Sequence, residues 1–355
     1  MKTTAIVVGA AVMLSLAGCA AQPAPQQGHT GQNNESPQAE TGPHPLIDLS
    51  CAELIDDEAV TQAYGATLDE RAPYTEGYGG MGNVAAAALT LAGATRCAWG
   101  DDTTFLEVDV LPDAEAEWAA LEPDLRMFQP LEGAHGDGTW FTCRPGDRTG
   151  CRADVLAGGH WLAVNAQGLL DASALDAVLA PLVARITAAE VAPADWPAPD
   201  PLTTDCATLL PLETVQAAIG DDVAVWTDRG AVLSQTLRQA ALDRVGAVHC
   251  AWRNGFGSAT ARTIDLTVMP GGGLVWDSHF AAPVPEWVAR ETLDGLGDAG
   301  FSAVNTSIFT GSIDGVASVL VGDSWVDVWA NDEARDDDLD IAVSLVREAV
   351  ETLSP

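Results

Sequence analysis

Lysine is almost absent from this chain of 355 residues: Lys2 is the only one, and every other fixed positive charge is an arginine. Together 16 Lys and Arg face 51 Asp and Glu, which gives a formal net charge of −35. Binding of nucleic acid or of an anionic membrane surface needs a basic patch, so the composition argues against both. The acidity has two interpretations. It serves to bind cations or a basic partner, or it reflects a GC-rich genome, solubility and salt adaptation.

Long apolar runs are also missing, and none approaches the roughly 18 residues of a transmembrane helix. The run Ala5–Leu16 is too short to span a bilayer, follows the positive charge of Lys2, and leads into Leu16-Ala17-Gly18-Cys19. This pattern matches the bacterial lipoprotein signal. It predicts that residues 1–18 are a cleaved signal peptide and that Cys19 becomes the acylated N-terminus, with palmitate among its acyl chains. An ordinary secretory signal, with Cys19 incidental, is the alternative.

Residues 19–45 contain few large apolar side chains and many Gln, Pro, Gly, Asn and Ser. Such a segment does not bury enough apolar surface to offset its chain entropy. We therefore expect a disordered tether that holds the folded part away from the membrane.

An internal duplication organises the rest of the chain. The block from Cys51-Ala52-Glu53-Leu54 to Gly65 matches the block from Cys206-Ala207-Thr208-Leu209 to Gly220. A Cys-Ala-Trp motif and an alternating apolar strand that ends in proline follow in both copies. The later matched pairs are Cys97/Cys250, Trp99/Trp252, Pro112/Pro270, Trp118/Trp276, Trp161/Trp325 and Leu175/Leu339. The sequence thus predicts two copies of one domain.

Each copy has the pattern of an α+β domain. Short alternating strands follow a short helix, and the copies end in helices Ala172–Ala188 and Asp337–Leu353, with apolar residues at three-to-four spacing. We predict two tandem antiparallel sheets that are covered by helices and stapled by disulfides, with repeat domains at residues 46–190 and 205–355. Residues 191–204 contain four prolines and are expected to form a stiff linker.

Seven cysteines leave six once Cys19 is lipidated, and an even number in an exported protein indicates a disulfide framework. The duplication gives each copy its own pair, Cys51–Cys97 and Cys206–Cys250. Cys143 and Cys151 occur in the first copy alone and flank a loop of turn-forming residues, so we expect them to staple a hairpin. Ser307 and Gly315 are expected at their places in the second copy.

The pattern resembles a family of actinobacterial cell-envelope lipoproteins of unknown function. These have a lipobox, a polar tether, Cys-x-x-Leu followed by a short helix that ends in Gly, and Cys-x-Trp before a strand. The matching residues are Cys51, Leu54, Gly65, Cys97 and Trp99, and then Cys206, Leu209, Gly220, Cys250 and Trp252. The resemblance implies a sensor-like or binding-type α+β domain. Two copies and the scarcity of lysine depart from the single-domain pattern of the family.

Motifs for catalysis are missing. The sequence has no Gly-x-Ser-x-Gly elbow, no His-Glu-x-x-His and no phosphate loop, and His135, His160 and His249 have no histidine at the matching position of the other copy. No Cys-x-x-Cys pair indicates a metal site. The acidic run Asp332–Asp340 lacks the alternate spacing of a calcium loop and opens a helix, where acids are favourable. We expect no catalytic residue, no metal and no cofactor.

Aromatic residues are the better candidates for binding. The chain has 11 tryptophans, and we expect the six duplicated ones to be core. Unmatched aromatics favour a surface or pocket that differs between the copies. The candidate binding residues are Tyr74, Tyr78, Trp226 and Trp329. The least similar segments, residues 74–83 and 226–238, are either the walls of a cleft between the copies or loops that tolerate change.

These features predict an extracytoplasmic lipoprotein on the cell membrane that binds a small-molecule ligand or an envelope protein and is not an enzyme. Its anchor is the lipid on Cys19, and nucleic acid is not among its partners. One alternative is a transporter-associated solute-binding lipoprotein, which two lobes and an anchor fit, although such lobes have parallel α/β sheets. A cell-wall hydrolase is the other alternative, and no motif supports it.

We expect Cys19→Ala to release the protein into the medium or to leave it as uncleaved precursor, because the mutation removes the acylated residue. Metabolic labelling with a fatty-acid analogue measures this directly. Equal labelling of wild type and variant would show that Cys19 is not the lipidation site.

Overall fold

Both repeats belong to one compact unit, residues 41–355. The computed structural model describes residues 42–73, 82–144, 149–225, 236–254, 262–281, 288–306, 313–332 and 337–353. Cys19, Tyr74, Tyr78, Trp226 and Ser307 lie outside the described residues.

Seven antiparallel strands form the sheet of the first repeat, here called sheet 1. They are β1 (Glu70–Arg71), β2 (Thr95–Gly100), β3 (Phe105–Leu111), β4 (Leu131–Glu132), β5 (Gly138–Arg144), β6 (Thr149–Ala157) and β7 (His160–Leu169). Their order across the sheet is β1-β2-β3-β7-β6-β5-β4. The chain therefore builds one side of the sheet first, builds the other side from its edge inward, and ends at the centre.

Seven antiparallel strands form sheet 2 in the second repeat. They are β8 (Ala224–Val225), β9 (Val248–Arg253), β10 (Arg262–Pro270), β11 (Val288–Thr292), β12 (Ala299–Thr306), β13 (Ile313–Val321) and β14 (Ser324–Asp332). Read from β8, the order is β8-β9-β10-β14-β13-β12-β11, which is the order of sheet 1. The predicted α+β class, two antiparallel sheets covered by helices, is confirmed.

Ten helices accompany the two sheets in the described parts of the chain. They are α1 (Cys51–Leu54), α2 (Asp57–Tyr64), α3 (Gly82–Leu91), α4 (Glu115–Phe128), α5 (Leu175–Thr187), α6 (Cys206–Leu209), α7 (Leu212–Ile219), α8 (Thr236–Arg244), α9 (Trp276–Ala281) and α10 (Asp338–Leu353). The short helix expected after each first cysteine is thus two helices. Two residues separate the helices in each repeat, and both are extended in the first repeat. There the Asp56 carboxylate accepts a hydrogen bond from the Ala59 N–H and caps the start of α2.

The outer face of each sheet is covered by its own terminal helix. α5 packs on β6 and β7, and α10 packs on β13 and β14. The apolar residues of α5 recur at helical spacing and are buried at Leu175, Val178, Leu182 and Ile186. Alternate residues of the strands point toward this layer, so each repeat has an outer core of its own.

The inner faces of the two sheets share one apolar core. α3 of the first repeat packs against α8 of the second; α3 also contacts β10 and β14, and α8 contacts β7. The helices that precede the Cys-Ala-Trp strands therefore reach across to the other repeat's sheet. Buried alanines on both helices allow this close packing. The tryptophan pairs Trp118–Trp161 and Trp276–Trp325 lie in the same core. Among the described residues, no open cleft separates the repeats at these contacts.

The linker between the repeats is held along its length. The Ala192 N–H donates to the Leu46 carbonyl oxygen at 2.8 Å, and Val191 forms an isolated β-bridge with Ile47. Trp196 is 8% exposed and donates its indole N–H to the Leu91 carbonyl at the end of α3. The prolines keep this segment extended, and its contacts fix it to the compact unit.

Three disulfides join the three pairs that the duplication predicted: Cys51–Cys97, Cys143–Cys151 and Cys206–Cys250. The duplicated bonds close sequence separations of 46 and 44 residues. By the chain-entropy argument each bond adds about 4 kcal/mol to the free energy of unfolding. The whole free energy of unfolding of an ordinary domain is about 5–15 kcal/mol.

The sequence also predicts that Gly65 and Gly220 end their helices as left-handed caps. Gly65 has this conformation, with φ 72° and ψ 5°, whereas Gly220 ends α7 in an extended conformation, with φ 109° and ψ 164°. The strand register places Val304, not Ser307, opposite Gly315, as Cys143 lies opposite Cys151. Counting from matched tryptophans missed this position because the hairpin between β12 and β13 differs in length from that between β5 and β6.

We expect Arg244→Ala to lower the free energy of unfolding by about 1–3 kcal/mol, since hydrogen bonds to charged groups are lost. Arg244 of α8 donates to the Glu117 carboxylate at 2.7 Å and to the Pro112 and Asp113 carbonyls at 2.6 and 3.0 Å, all in the first repeat. Urea unfolding followed by circular dichroism measures the change. Arg347→Ala, on the exposed face of α10, is the matched control and should shift stability by less than about 0.5 kcal/mol. Equal effects would show that Arg244 does not join the repeats.

Candidate functional site

The inner face of sheet 1 carries a row of three polar side chains on neighbouring strands. Thr142 on β5 pairs with Arg152 on β6, and Arg152 pairs with Asn165 on β7. Residues paired across antiparallel strands project to the same side with Cβ atoms about 5 Å apart. We call Thr142, Arg152 and Asn165 the polar triplet.

The same place in sheet 2 is apolar. Ala303 on β12 pairs with Val316 on β13, and Val316 pairs with Trp329 on β14. Ala303 and Val316 belong to the shared core, and Trp329 packs against it partly buried. One scaffold thus carries a buried apolar row in the second repeat and the polar triplet in the first, where Asn165 is exposed.

Arg152 is poorly satisfied by its own protein. Its side chain is 26% exposed, and its Nε lies 3.8 Å from a carboxylate oxygen of Asp154. That distance is too long for a hydrogen bond. Among the described residues, none donates to or accepts from the side chains of the polar triplet. Burial lowers the pKa of Arg152, opposed by the nearby Asp154 and Asp109 carboxylates, but the guanidinium stays protonated at neutral pH.

Asp154 is fully buried beside the triplet, two residues along β6 from Arg152 on the same face of the sheet. It accepts hydrogen bonds from the Trp161 indole N–H at 2.7 Å and from the Gln129 side-chain amide. Burial raises the pKa of Asp154, while Arg152 and these two donors act in the opposite direction. The Asp154 carboxylate is therefore hydrogen-bonded by two neutral donors, and it interacts with Arg152 through charge rather than through a hydrogen bond.

Further arginines surround the triplet on the same face. Arg96 contacts the Asp109 carboxylate at 3.1 Å, and Arg238, which comes from α8 of the second repeat, lies 3.9 Å from it. Arg71 contacts Glu107 at 3.0 Å. Arg71 and Arg96 thus have carboxylates at hydrogen-bonding distance, whereas Arg152 does not.

The second repeat has a different buried polar group, formed by His249, Thr267 and Asp265. The His249 Nδ1 lies 3.0 Å from the Thr267 hydroxyl, and its Nε2 lies 3.7 Å from Asp265. A hydroxyl, an imidazole and a carboxylate in this order can serve nucleophilic catalysis. Here, however, Thr267 is fully buried and Asp265 is 4% exposed, so the hydroxyl is out of a substrate's reach.

A groove of about 430 Å³ lies on the outer surface between α7 and α10. Exposed residues Glu213, Ala217, Ser344 and Glu348 line most of it. The residues that line this groove include no partly buried arginine or other cation like Arg152 of the polar triplet. The groove is therefore the weaker candidate for specific recognition of a ligand.

The sequence analysis named other residues as candidates for binding. Trp329 lies in the apolar row of sheet 2, and its role in binding stays a prediction. Tyr74, Tyr78 and Trp226 lie outside the described residues. His135 contacts the exposed Asp176 at 2.8 Å, and buried His160 accepts from the Asp113 N–H at 3.2 Å, so neither faces the polar triplet.

Comparison with protein families, with curated proteins and with solved structures finds no significant match. Within the described residues, no three or more His, Cys, Asp or Glu side chains gather where they would hold a metal ion. No helix in the described part of the chain has the length and apolar character to cross a bilayer.

The second repeat's polar group predicts a distinctive pH dependence of stability. Burial raises the pKa of Asp265 to about 7 and lowers the pKa of His249 to about 4. Between roughly pH 4 and 6.5, folded Asp265 keeps a proton that the unfolded chain releases, which lowers stability as pH rises. Folded His249 lacks a proton that the unfolded chain holds, which raises stability as pH rises. The two contributions oppose each other.

We therefore expect Asp265→Asn to make stability rise with pH more steeply than in wild type, by up to about 1.4 kcal/mol per pH unit. His249→Gln should shift the slope the other way. Thermal unfolding from pH 4.5 to 6.5 measures both slopes, and three parallel profiles would contradict the assignment.

Proposed function

We propose that this protein is a membrane-anchored, extracytoplasmic lipoprotein that binds a ligand or partner without chemical turnover, and that the polar triplet on sheet 1 is its binding surface. The observation that carries this proposal is the contrast between the repeats. One scaffold position is a buried apolar row in sheet 2 and an under-satisfied polar row in sheet 1.

Stability alone gives a poor account of the polar triplet. A partly buried arginine without hydrogen bonds costs free energy, because its donors lose water and gain no acceptor. The second repeat shows that valine fits at this place in the scaffold. An arginine retained there is consistent with a contact made outside the folded chain.

The extracytoplasmic location is supported by the lipobox and by the disulfides. The sequence before Cys19 has the composition of a lipoprotein signal, and three disulfides in a chain of this kind suit an oxidising compartment. The resemblance to actinobacterial cell-envelope lipoproteins points the same way.

Two features favour binding over the alternatives. A solute-binding lipoprotein would have parallel sheets, whereas both sheets here are antiparallel and helices α3 and α8 pack between them. A hydrolase needs a reachable nucleophile, and the described hydroxyl–imidazole–carboxylate group is buried.

Native mass spectrometry of the full chain, extracted from its own envelope in mild detergent, tests the proposal. We expect wild type and Arg347→Ala to carry a bound species that Arg152→Gln lacks. Recovery of that species with unchanged mass after incubation supports binding without turnover. Retention by Arg152→Gln at the wild-type level, or conversion of the ligand into a product, would contradict the proposal.

A further inference from the structure

We propose that the polar triplet binds an oxyanion, a carboxylate or phosphate group of the ligand, with the Arg152 guanidinium as the central contact and Thr142 and Asn165 as flanking donors. This inference rests on the proposed function and names the chemistry of its ligand.

The geometry of Arg152 leaves its outer nitrogens for a ligand. The contact with Asp154 is made by Nε, at 3.8 Å. No other contact of Arg152 occurs among the described residues, so Nη1 and Nη2 have their hydrogen-bonding capacity left. The paired N–H groups of a guanidinium match the two oxygens of a carboxylate or phosphate.

The flanking residues complete a donor row. Strands in a sheet lie about 4.8 Å apart, so Thr142 and Asn165 stand on either side of Arg152 within reach of one small anion. A hydroxyl and a side-chain amide can both donate. Beyond Asn165 the row continues to Glu107 on β3, whose charge is countered by Arg71 at 3.0 Å. A positively charged ligand group would be repelled by the guanidinium, and a neutral acceptor would form weaker hydrogen bonds with it than an anion does.

The electrostatic surroundings favour a negative group. Four arginines and three carboxylates occupy this part of the face: Arg71, Arg96, Arg152 and Arg238 with Glu107, Asp109 and Asp154. Asp154 accepts hydrogen bonds from Trp161 and Gln129 and lies 3.8 Å from the Arg152 Nε, too far to accept a hydrogen bond from it, which leaves the guanidinium N–H groups to an incoming anion. These seven groups carry a net charge of +1, whereas the whole chain has a formal net charge of −35.

A disulfide fixes the strands that carry the row. Cys143 and Cys151 form the register pair directly beside Thr142 and Arg152, and as neighbours in sequence they project to the opposite face. The second repeat has Val304 and Gly315 there and lacks both the staple and the arginine. Holding two binding residues in register before binding lowers the entropic cost of capturing a small ligand.

Calorimetric titration of the full chain at constant ionic strength tests the inference. The probes are succinate for carboxylates, methyl phosphate for phosphates and choline chloride as a cationic control. We expect saturable binding of succinate or methyl phosphate and no binding of choline. The anion that binds with the higher affinity shows whether the site prefers a carboxylate or a phosphate. Arg152→Gln should weaken binding at least about tenfold. Arg152→Lys should also weaken binding, because lysine keeps the charge but loses the paired donors.

Asn165→Ala and Thr142→Val, at an exposed and a half-buried position, should each weaken binding about threefold through loss of one hydrogen bond. Melting curves show whether Arg152→Gln is folded. If it is not, the Asn165→Ala and Thr142→Val variants test the inference in its place. Arg347→Gln is the matched control and should bind as wild type does. Absence of saturable anion binding in wild type, or equal affinity in wild type, Arg152→Lys and Asn165→Ala, overturns the inference.

Failure of this inference is distinguishable from failure of the proposed function. If the species recovered from the envelope is lost in Arg152→Gln but has no carboxylate or phosphate, the oxyanion inference is wrong and the binding function stands. If neither that species nor a probe depends on the polar triplet, both are wrong.

Discussion

Packing of α3 against α8 is the interaction on which the arrangement of this protein depends. Each helix comes from one repeat and contacts the sheet of the other, so neither inner sheet face is covered without its partner. Buried Trp118, Trp161, Trp276 and Trp325 complete the same core. Burial of large aromatic side chains supplies several kcal/mol each on area grounds, of the order of the net stability of a domain. The repeats are therefore duplicated in sequence but not independent in energy.

This shared core also explains where the repeats diverged. In the first repeat the Trp161 indole donates to Asp154, and the residue paired with Asp154 across the strands is Ala163. In the second repeat the corresponding pair is Ser318 and Asp327. Ser318 stands in the place of Asp154 and donates to the carboxylate of Asp327, which stands in the place of Ala163. In both repeats a neighbouring side chain donates to the buried carboxylate, because burial of a charged group without a partner is costly. The exchange nevertheless leaves the buried Trp325 indole N–H without a hydrogen-bond partner among the described residues, whereas the Trp161 indole donates to Asp154.

Much of the architecture could be predicted from the sequence because it is encoded locally or twice. Helical spacing placed the terminal helices within a few residues, and the repeat fixed the cysteine pairs without any coordinates. The antiparallel α+β class followed from short alternating strands. By contrast, the exchange of α3 and α8 depends on contacts between residues more than 100 positions apart. These two segments are dissimilar in sequence, and neither of them by itself indicates which of the two sheets it packs against.

The candidate site was missed for a related reason. Thr142, Arg152 and Asn165 lie on three strands and become neighbours only when the register is known, since a shift of one residue moves each to the other face. One signal was present: Arg152 alternates with buried residues along β6, and its counterpart is valine. The search for unmatched aromatic residues led instead to Trp329, which occupies the place of Asn165 in the second repeat. Comparing unmatched polar residues would have found Arg152.

The contacts of Leu46 have a mechanical consequence under the proposed anchoring. Its N–H donates to Gly93 after α3, and its carbonyl accepts from Ala192 at the start of the linker. Tension from the membrane would therefore enter at the junction of the repeats, where these bonds resist it together. Any strain that passes on to Cys51 is transferred through the disulfide to Cys97 in the middle of β2. The helices between these cysteines lie outside the line of force, so a ligand held on sheet 1 could be pulled without unravelling the segment that leads to α3.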